Sequence, residues 1–271
     1  MYRILYRKTI AAINFVKIFF RSLMFWPPGT WFRFWFTFPA EQIVPLGILT
    51  ATIRTSSPTA KVVDLYMAVS CIVDQQYLPA DFLVHESDTV IDIGAHIGSF
   101  TLLAAQRAAR GRVLSYEPDP SNYSQLVKNI NVNGQRNVTP IQMAVSAEKK
   151  ILPFQKDTIN SAESSLYKKG SETIAVPSTT LNDIFLDNKI EHCDFLKIDC
   201  EGAEYEILFS APKELFSKIE KIVMECHTPQ FFGIENPAYS YDSMIALLKN
   251  LGYKTRIIHE NAMHNLIFAK R

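Results

Sequence analysis

The chain has 271 residues, 48% hydrophobic and 20% charged, which excludes a disordered chain and leaves room for one large α/β domain with an appendage or for two smaller domains. The formal net charge of +1 hides a division: residues 1–40 carry Arg3, Arg7, Lys8, Lys17, Arg21 and Arg33 and no acid, while the remainder has 22 basic against 27 acidic residues. A mildly acidic body argues against a nucleic-acid binder, which would carry a basic stripe on its folded domain.

The first 40 residues also hold all three tryptophans, Trp26, Trp31 and Trp35. Tyr2 to Trp26 has helical period, with Arg3, Arg7, Asn14, Lys17 and Arg21 in one narrow sector. Ile4, Leu5, Ile13, Phe15, Phe19, Phe20 and Leu23 fill much of the rest. Lys17 and Arg21 interrupt the apolar stretch, so a clean transmembrane span is disfavoured. A basic amphipathic helix flanked by aromatics suits an anionic membrane surface, and contact through residues 1–38 is the expectation. An organelle presequence and an extra helix packed on the body are the alternatives. Pro27, Pro28 and Gly29 end the helix. Trp31–Phe38 is too aromatic to stay in water and must dock on lipid or on the body.

Residues 41–88 read as a helical lead-in layer, with Val62–Cys71 helical and a break at Pro79. From residue 89 to the end, short apolar runs alternate with helical patterns. Thr89–Ile93 is a strand and Ser99–Arg110 a helix stopped by Gly111. Val113–Tyr116 is the next strand. Asp119-Pro120 then supplies an N-cap and a first-turn proline for a helix ended by Gly134. Val138–Met143 is a third strand. Residues 155–172 form a polar loop, a possible lid. Phe195–Ile198 and Ile222–Cys226 are strands, with a short helix over Glu204–Phe209 between them. Ser240–Leu251 is an amphipathic helix, and Tyr253–Ile258 with Asn265–Ala269 closes the chain as a hairpin. This alternation predicts a mostly parallel, Rossmann-like sheet covered on both faces, with an antiparallel element at the C-terminus. The cysteines Cys71, Cys193, Cys200 and Cys226 show no C-x-x-C or zinc spacing. Buried free thiols in a reducing, cytoplasmic compartment are therefore expected.

Chemistry concentrates in three blocks. Val90-Ile91-Asp92-Ile93-Gly94-Ala95-His96-Ile97-Gly98 runs a strand into a two-glycine turn and a helix. His96 stands between Gly94 and Gly98, so the dinucleotide pattern G-x-G-x-x-G fails, which weakens a nicotinamide oxidoreductase reading. Asp92 at the strand end suits a ligand with a cationic ammonium or sulfonium. In Tyr116-Glu117-Pro118-Asp119-Pro120, Glu117 ends the next strand about 20 residues on, where an acid accepts ribose hydroxyls. Asp92, Gly94, Gly98 and Glu117 together describe a site for an adenosine bearing an amino-acid tail, as in S-adenosylmethionine. The third block, Lys197-Ile198-Asp199-Cys200-Glu201-Gly202-Ala203-Glu204, sets three carboxylates at a strand end. Asp199 and Glu201 read as functional. Glu204 reads equally as function or as complement to the helix N-terminus.

VIDIGAHIGSF, YEPDP and KIDCEGAEYEIL resemble the signature blocks of FkbM-family methyltransferases, a branch of the class I S-adenosylmethionine-dependent enzymes. Val223-Met224-Glu225-Cys226-His227 is similar to that family's strand ending in an acid and a histidine. The resemblance covers roughly residues 50–255. It implies a seven-stranded sheet over residues 89–271 and methyl transfer to a hydroxyl of a sugar, glycolipid or polyketide-like acceptor. His96 stands where many members carry asparagine, and Cys200 where valine is common. A methyltransferase-like scaffold that binds ligand without catalysis is the alternative. His227 is the first candidate base, because unperturbed imidazole titrates near neutrality, with Asp199 and Glu201 as competitors. These groups with Glu225 could instead hold a divalent metal, but two separated clusters without a compact ligand motif do not favour it.

Overall fold

The computed structural model describes residues 2–156, 164–167 and 172–271, with the side chains of 2–12 and 14 excepted. The side chains of Arg3, Ile4, Leu5, Arg7, Lys8 and Asn14 therefore lie outside the described residues, as do 157–163 and 168–171 of the expected loop 155–172. In chain order the arm is α1 (Tyr2–Phe25) and α2 (Pro28–Phe36), followed by β1 (Glu41–Leu46), β2 (Leu49–Arg54) and α3 (Pro58–Ala68). Next come β3 (Thr89–Ile93), α4 (Ser99–Arg107), β4 (Arg112–Tyr116), α5 (Pro120–Val132), β5 (Val138–Ile141), β6 (Ala144–Val145), β7 (Ile151–Lys156) and β8 (Glu172–Thr179). The rest is α6 (Leu181–Asp187), β9 (Cys193–Ile198), α7 (Glu204–Ser210), β10 (Ile219–His227), α8 (Tyr241–Asn250), β11 (Lys254–His259) and β12 (His264–Lys270).

Seven strands build the central sheet in the order β5-β4-β3-β9-β10-β12-β11. Those from β5 to β10 are parallel, and β12 inserts antiparallel between β10 and β11. This is the Rossmann-like, seven-stranded, mostly parallel sheet with a C-terminal antiparallel hairpin that the sequence predicts. Period-two alternation divides its side chains between two cores. Val90, Val113, Phe195, Val223 and Phe268 pack with α3, α4 and the arm. Ile91, Leu114, Leu196, Ile222 and Ile267 pack beneath elements on the other face, through Ile184 and Phe185 of α6, Tyr205 and Ile207 of α7, and Met244 and Leu248 of α8. Both faces are covered, which is why these strands read as continuous apolar runs.

The stretch 41–88 departs from a wholly helical layer. Its first part is the β1–β2 hairpin, whose exposed edge is satisfied by α5. Thr52 N–H donates to Asn129 Oδ1 (2.6 Å) and Gln125 Nε2 donates to the Thr52 carbonyl (2.6 Å). These partners lie over 70 residues away, so no local signal announces the hairpin. The arm docks on it through Trp26 Nε1, which donates to the Pro45 carbonyl (2.8 Å); within the arm Trp35 Nε1 donates to Ser22 of α1 (3.0 Å), and Trp26, Phe34 and Trp35 are buried. Of the two destinations open to Trp31–Phe38, the body thus takes Phe34 and Trp35, while Phe32, Phe36 and Phe38 stay exposed. No helix among the described residues is long and apolar enough to cross a membrane.

Candidate active site

A cavity of about 790 Å³ lies at the carboxyl ends of β3, β4, β9 and β10, where open α/β sheets bind ligands. The turn after β3 forms its floor. Gly94 has φ +77°, and an added Cβ would sit 1.7 Å from the Asp199 carbonyl oxygen. Only glycine lets this turn pass so close to the end of β9. Gly98 (φ +89°) does not line the cavity, contrary to its expected cofactor contact; its missing Cβ makes room for Leu126 of α5. That glycine serves helix packing.

Asp92 also departs from expectation. Its carboxylate is fully buried outside the cavity wall, accepts from Thr101 Oγ1 (2.6 Å) and lies 3.1 Å from Lys197 Nζ. Asp92 and Lys197 are register partners on one sheet face, and the acid meets its neighbour strand's lysine. Lys197 in turn donates to the Gly94 carbonyl (2.8 Å). Burial works against its charge, but Asp92 and Asp199 outweigh it and hold the ammonium above its usual range. Asp92 therefore acts on the cavity at one remove, through Lys197 and the turn.

Glu117 and His96 line the cavity together. Glu117 Oε2 accepts from the His96 N–H (2.8 Å) and Oε1 from the Asp119 N–H (2.9 Å). Burial nevertheless pushes this carboxyl up to about 7. His96 reaches the required geometry with φ +53°, a strained value for a residue with a Cβ. Burial, Arg54 and Lys197 drive its imidazole well below the usual value, so the ring is neutral. Asp119 is the expected helix cap, accepting from the N–H groups of Ser121 and Asn122.

The third block folds around Glu204. This fully buried carboxylate accepts from the Cys200 N–H (3.1 Å) and Gly202 N–H (3.1 Å), and His227 Nδ1 donates to it at 2.8 Å. It complements the turn before α7 and also fixes the His227 ring. Glu201, at φ +54°, brings Oε1 to 3.6 Å from His227 Nε2. Burial opposes a charge on His227, but Glu204, Glu201 and Glu225 outweigh it and raise the imidazole well above its usual value. The premise that His227 titrates near neutrality fails for that reason: the ring is an imidazolium at pH 7.

Tyr77, Glu225 and His264 complete the cluster. The Tyr77 hydroxyl donates to Asp199 Oδ2 (3.0 Å) and to Glu225 Oε2 (3.3 Å). His264 Nε2 lies 2.7 Å from Glu225 Oε1. Burial and the Glu225 charge push Asp199 up to about 7; burial would raise Glu225 too, but His264 and His227 prevail and hold it below the usual range. Tyr77 and His264 carry no sequence signal. Tyr77 follows a wider π turn at Val69–Val73, and His264 meets His227 only because β12 inserts beside β10. The two carboxylate clusters that look separate along the chain are one site. Ligand atoms of Glu225, His227 and His264, and of Asp199, Glu201 and His227, lie within 4.8 Å of one another, donor sets of a kind that binds divalent cations.

Comparison with known proteins places this geometry. The sequence matches the Methyltransferase FkbM domain over residues 92–255. It is 26% identical over 172 residues to "Methyltransferase sdnD" of Sordaria araneosa, covering 52% of this chain and 66% of that protein, just under two thirds of its length. It is 22% identical over 191 residues to "Methyltransferase 1" of Beauveria bassiana, covering 63% and 76%. Among solved structures, M. jannaschii TYW2 in complex with AdoMet aligns at 17% identity and TM-score 0.44, covering 87% of each chain. Aeropyrum pernix fibrillarin aligns at 16% identity and TM-score 0.39, covering 69% and 67%. The matched region holds the glycine turn, Glu117, Asp199, Glu201, Glu225 and His227, and the chain belongs to the FkbM methyltransferase domain family.

Proposed function

We propose that the protein transfers a methyl group from S-adenosylmethionine to a hydroxyl of a sugar, glycolipid or polyketide-like acceptor. The observation that carries this reading is that one cavity joins the buried Glu117 carboxylate to the Asp199–Glu201–Glu225–His227 cluster. A volume of about 790 Å³ is within the range of small-molecule sites.

The residues fit the cofactor. Glu117 keeps its carboxylate fixed by two backbone N–H groups and the Asn122 side chain, and faces the cavity where it would accept from the ribose. Met143, Ala144 and Val145 give the same wall an apolar stretch suited to a base. The Gly94 turn, braced by Lys197, lines the cavity and would hold the amino-acid tail through its backbone groups. When bound, S-adenosylmethionine supplies a methyl on a sulfonium. The chain's own task is to align the acceptor hydroxyl and remove its proton.

Asp199 is the residue we assign to take that proton. It lines the cavity, and its carboxyl titrates at about 7, close to the optimum for a base at neutral pH. Tyr77 fixes one carboxylate oxygen. His227, already protonated, holds Glu201 and offsets the negative charge of the cluster. A divalent cation on the same groups is the second reading, favoured by the two donor sets within 4.8 Å.

Isothermal calorimetry with S-adenosylmethionine tests the ribose assignment. Glu117→Ala should weaken binding by about 10- to 100-fold, the worth of one or two hydrogen bonds to a charged acceptor. An unchanged affinity would remove Glu117 from the site. Release of S-adenosylhomocysteine with glycan or lipid acceptors then separates an enzyme from a ligand-binding scaffold.

A further inference from the structure

The arm is more than a packed appendage. Ile13, Phe15 and Lys17 of α1 form part of the cavity wall, so the arm is one lip of the active site. Outside that lip the surface is strongly apolar. Apart from Ile13 and Phe15, nine of the seventeen exposed large hydrophobic side chains among the described residues lie between 16 and 48. Phe20 is 61% exposed, Met24 78%, Phe36 54% and Ile48 80%.

The aromatic side chains of α1 and α2 touch one another in series. Phe20 packs on Phe19 (ring centroids 5.4 Å apart), Phe19 on Trp31 (4.8 Å), Trp31 on Phe36 (5.9 Å) and Phe36 on Phe32 (4.7 Å). The chain of rings bridges α1 and α2. The Trp26 indole and the buried Phe34 and Trp35 anchor this layer to the body, so the apolar face is held outward rather than free to fold in. Leaving so much apolar area in water is unfavourable and marks an interaction surface. Its sequence is one-sided in charge, with six cations and no anion over residues 1–40; of the described cations Arg21 pairs with Asp74, while Lys17 and Arg33 are exposed. Since no described helix is long and apolar enough to cross a membrane, the face suits a bilayer surface rather than a span.

We propose that the outer face of α1, α2 and the β1–β2 turn docks on an anionic lipid bilayer, and that the cavity beside it accepts a hydroxyl carried on a membrane lipid. Aromatic side chains suit the interfacial layer, and Lys17 and Arg33 meet acidic headgroups there. The position of α1 as both membrane face and cavity lip gives the acceptor a short path from lipid to Asp199. The acceptor class rests on the methyl-transfer reading above; the docking does not.

Flotation with vesicles of phosphatidylcholine and phosphatidylglycerol, against phosphatidylcholine alone, is the test. The wild type should float with the anionic vesicles, and less at high salt. Removal of the arm would expose core residues, so the paired variant Phe20→Ser and Phe36→Ser replaces truncation. Each loss should lower partitioning about tenfold, with cofactor affinity and melting temperature retained. A wild type that stays unbound, or a variant that floats equally well, overturns the proposal. So does a wild-type oligomer, seen by sedimentation, that the variant dissolves, because the face would then join protein copies. Cofactor binding measured on the same samples reports separately on the methyl-transfer reading.

Discussion

Asp199 and His227 show how neighbours reassign roles that residue type suggests. Histidine is the ordinary base at neutral pH, yet three carboxylates keep His227 protonated, whereas burial and Glu225 bring Asp199 up to about 7. A base must be unprotonated to act, so turnover at saturating cofactor should rise with pH through about 7 and then level off. Glu225→Gln removes the neighbouring negative charge and should move that limb to lower pH. Asp199→Asn should lower kcat by about 10²- to 10⁴-fold, the usual worth of a positioned base, with cofactor affinity little changed. A limb that stays in place in Glu225→Gln would assign it to another group.

Among the elements, the β3–α4 turn is the most constrained. It packs against the end of β9 with no room for a side chain at Gly94, while His96 and Glu201, both lining the cavity, hold positive φ. Strain of this kind persists only where surrounding structure enforces it. Gly94→Ala combines a left-handed backbone with a collision against backbone, and should cost about 3 kcal/mol or more. Thermal unfolding measures this: a melting temperature within a degree or two of wild type would contradict the close approach. The strand–turn–helix order of this element is legible in VIDIGAHIGSF. That Gly98 faces Leu126 and not the ligand is not, because a helix two elements away fills the space.

At the scale of the whole molecule, the arm, the β1–β2 hairpin, α3 and one sheet face share a single core. The arm is therefore expected to unfold with the body. Trp35→Ala should destabilise the protein by about 3–5 kcal/mol, in one transition on urea titration followed by fluorescence and circular dichroism. A separate early transition would show the arm to be independent.

The sequence by itself determined the alternation of strands and helices, the glycine turn, the acid after β4, the Asp119 cap and the basic, acid-free arm. Each rests on periodicity, turn chemistry or charge within a short stretch of chain. Tertiary structure decided the rest. It paired Asp92 with Lys197 across strands, joined Tyr77 and His264 to Asp199 and Glu225, and made α1 a lip of the cavity. These meetings depend on strand order and register. Residues as far apart as Tyr77 and Glu225 become neighbours through them, and so do the charges that set which group holds a proton.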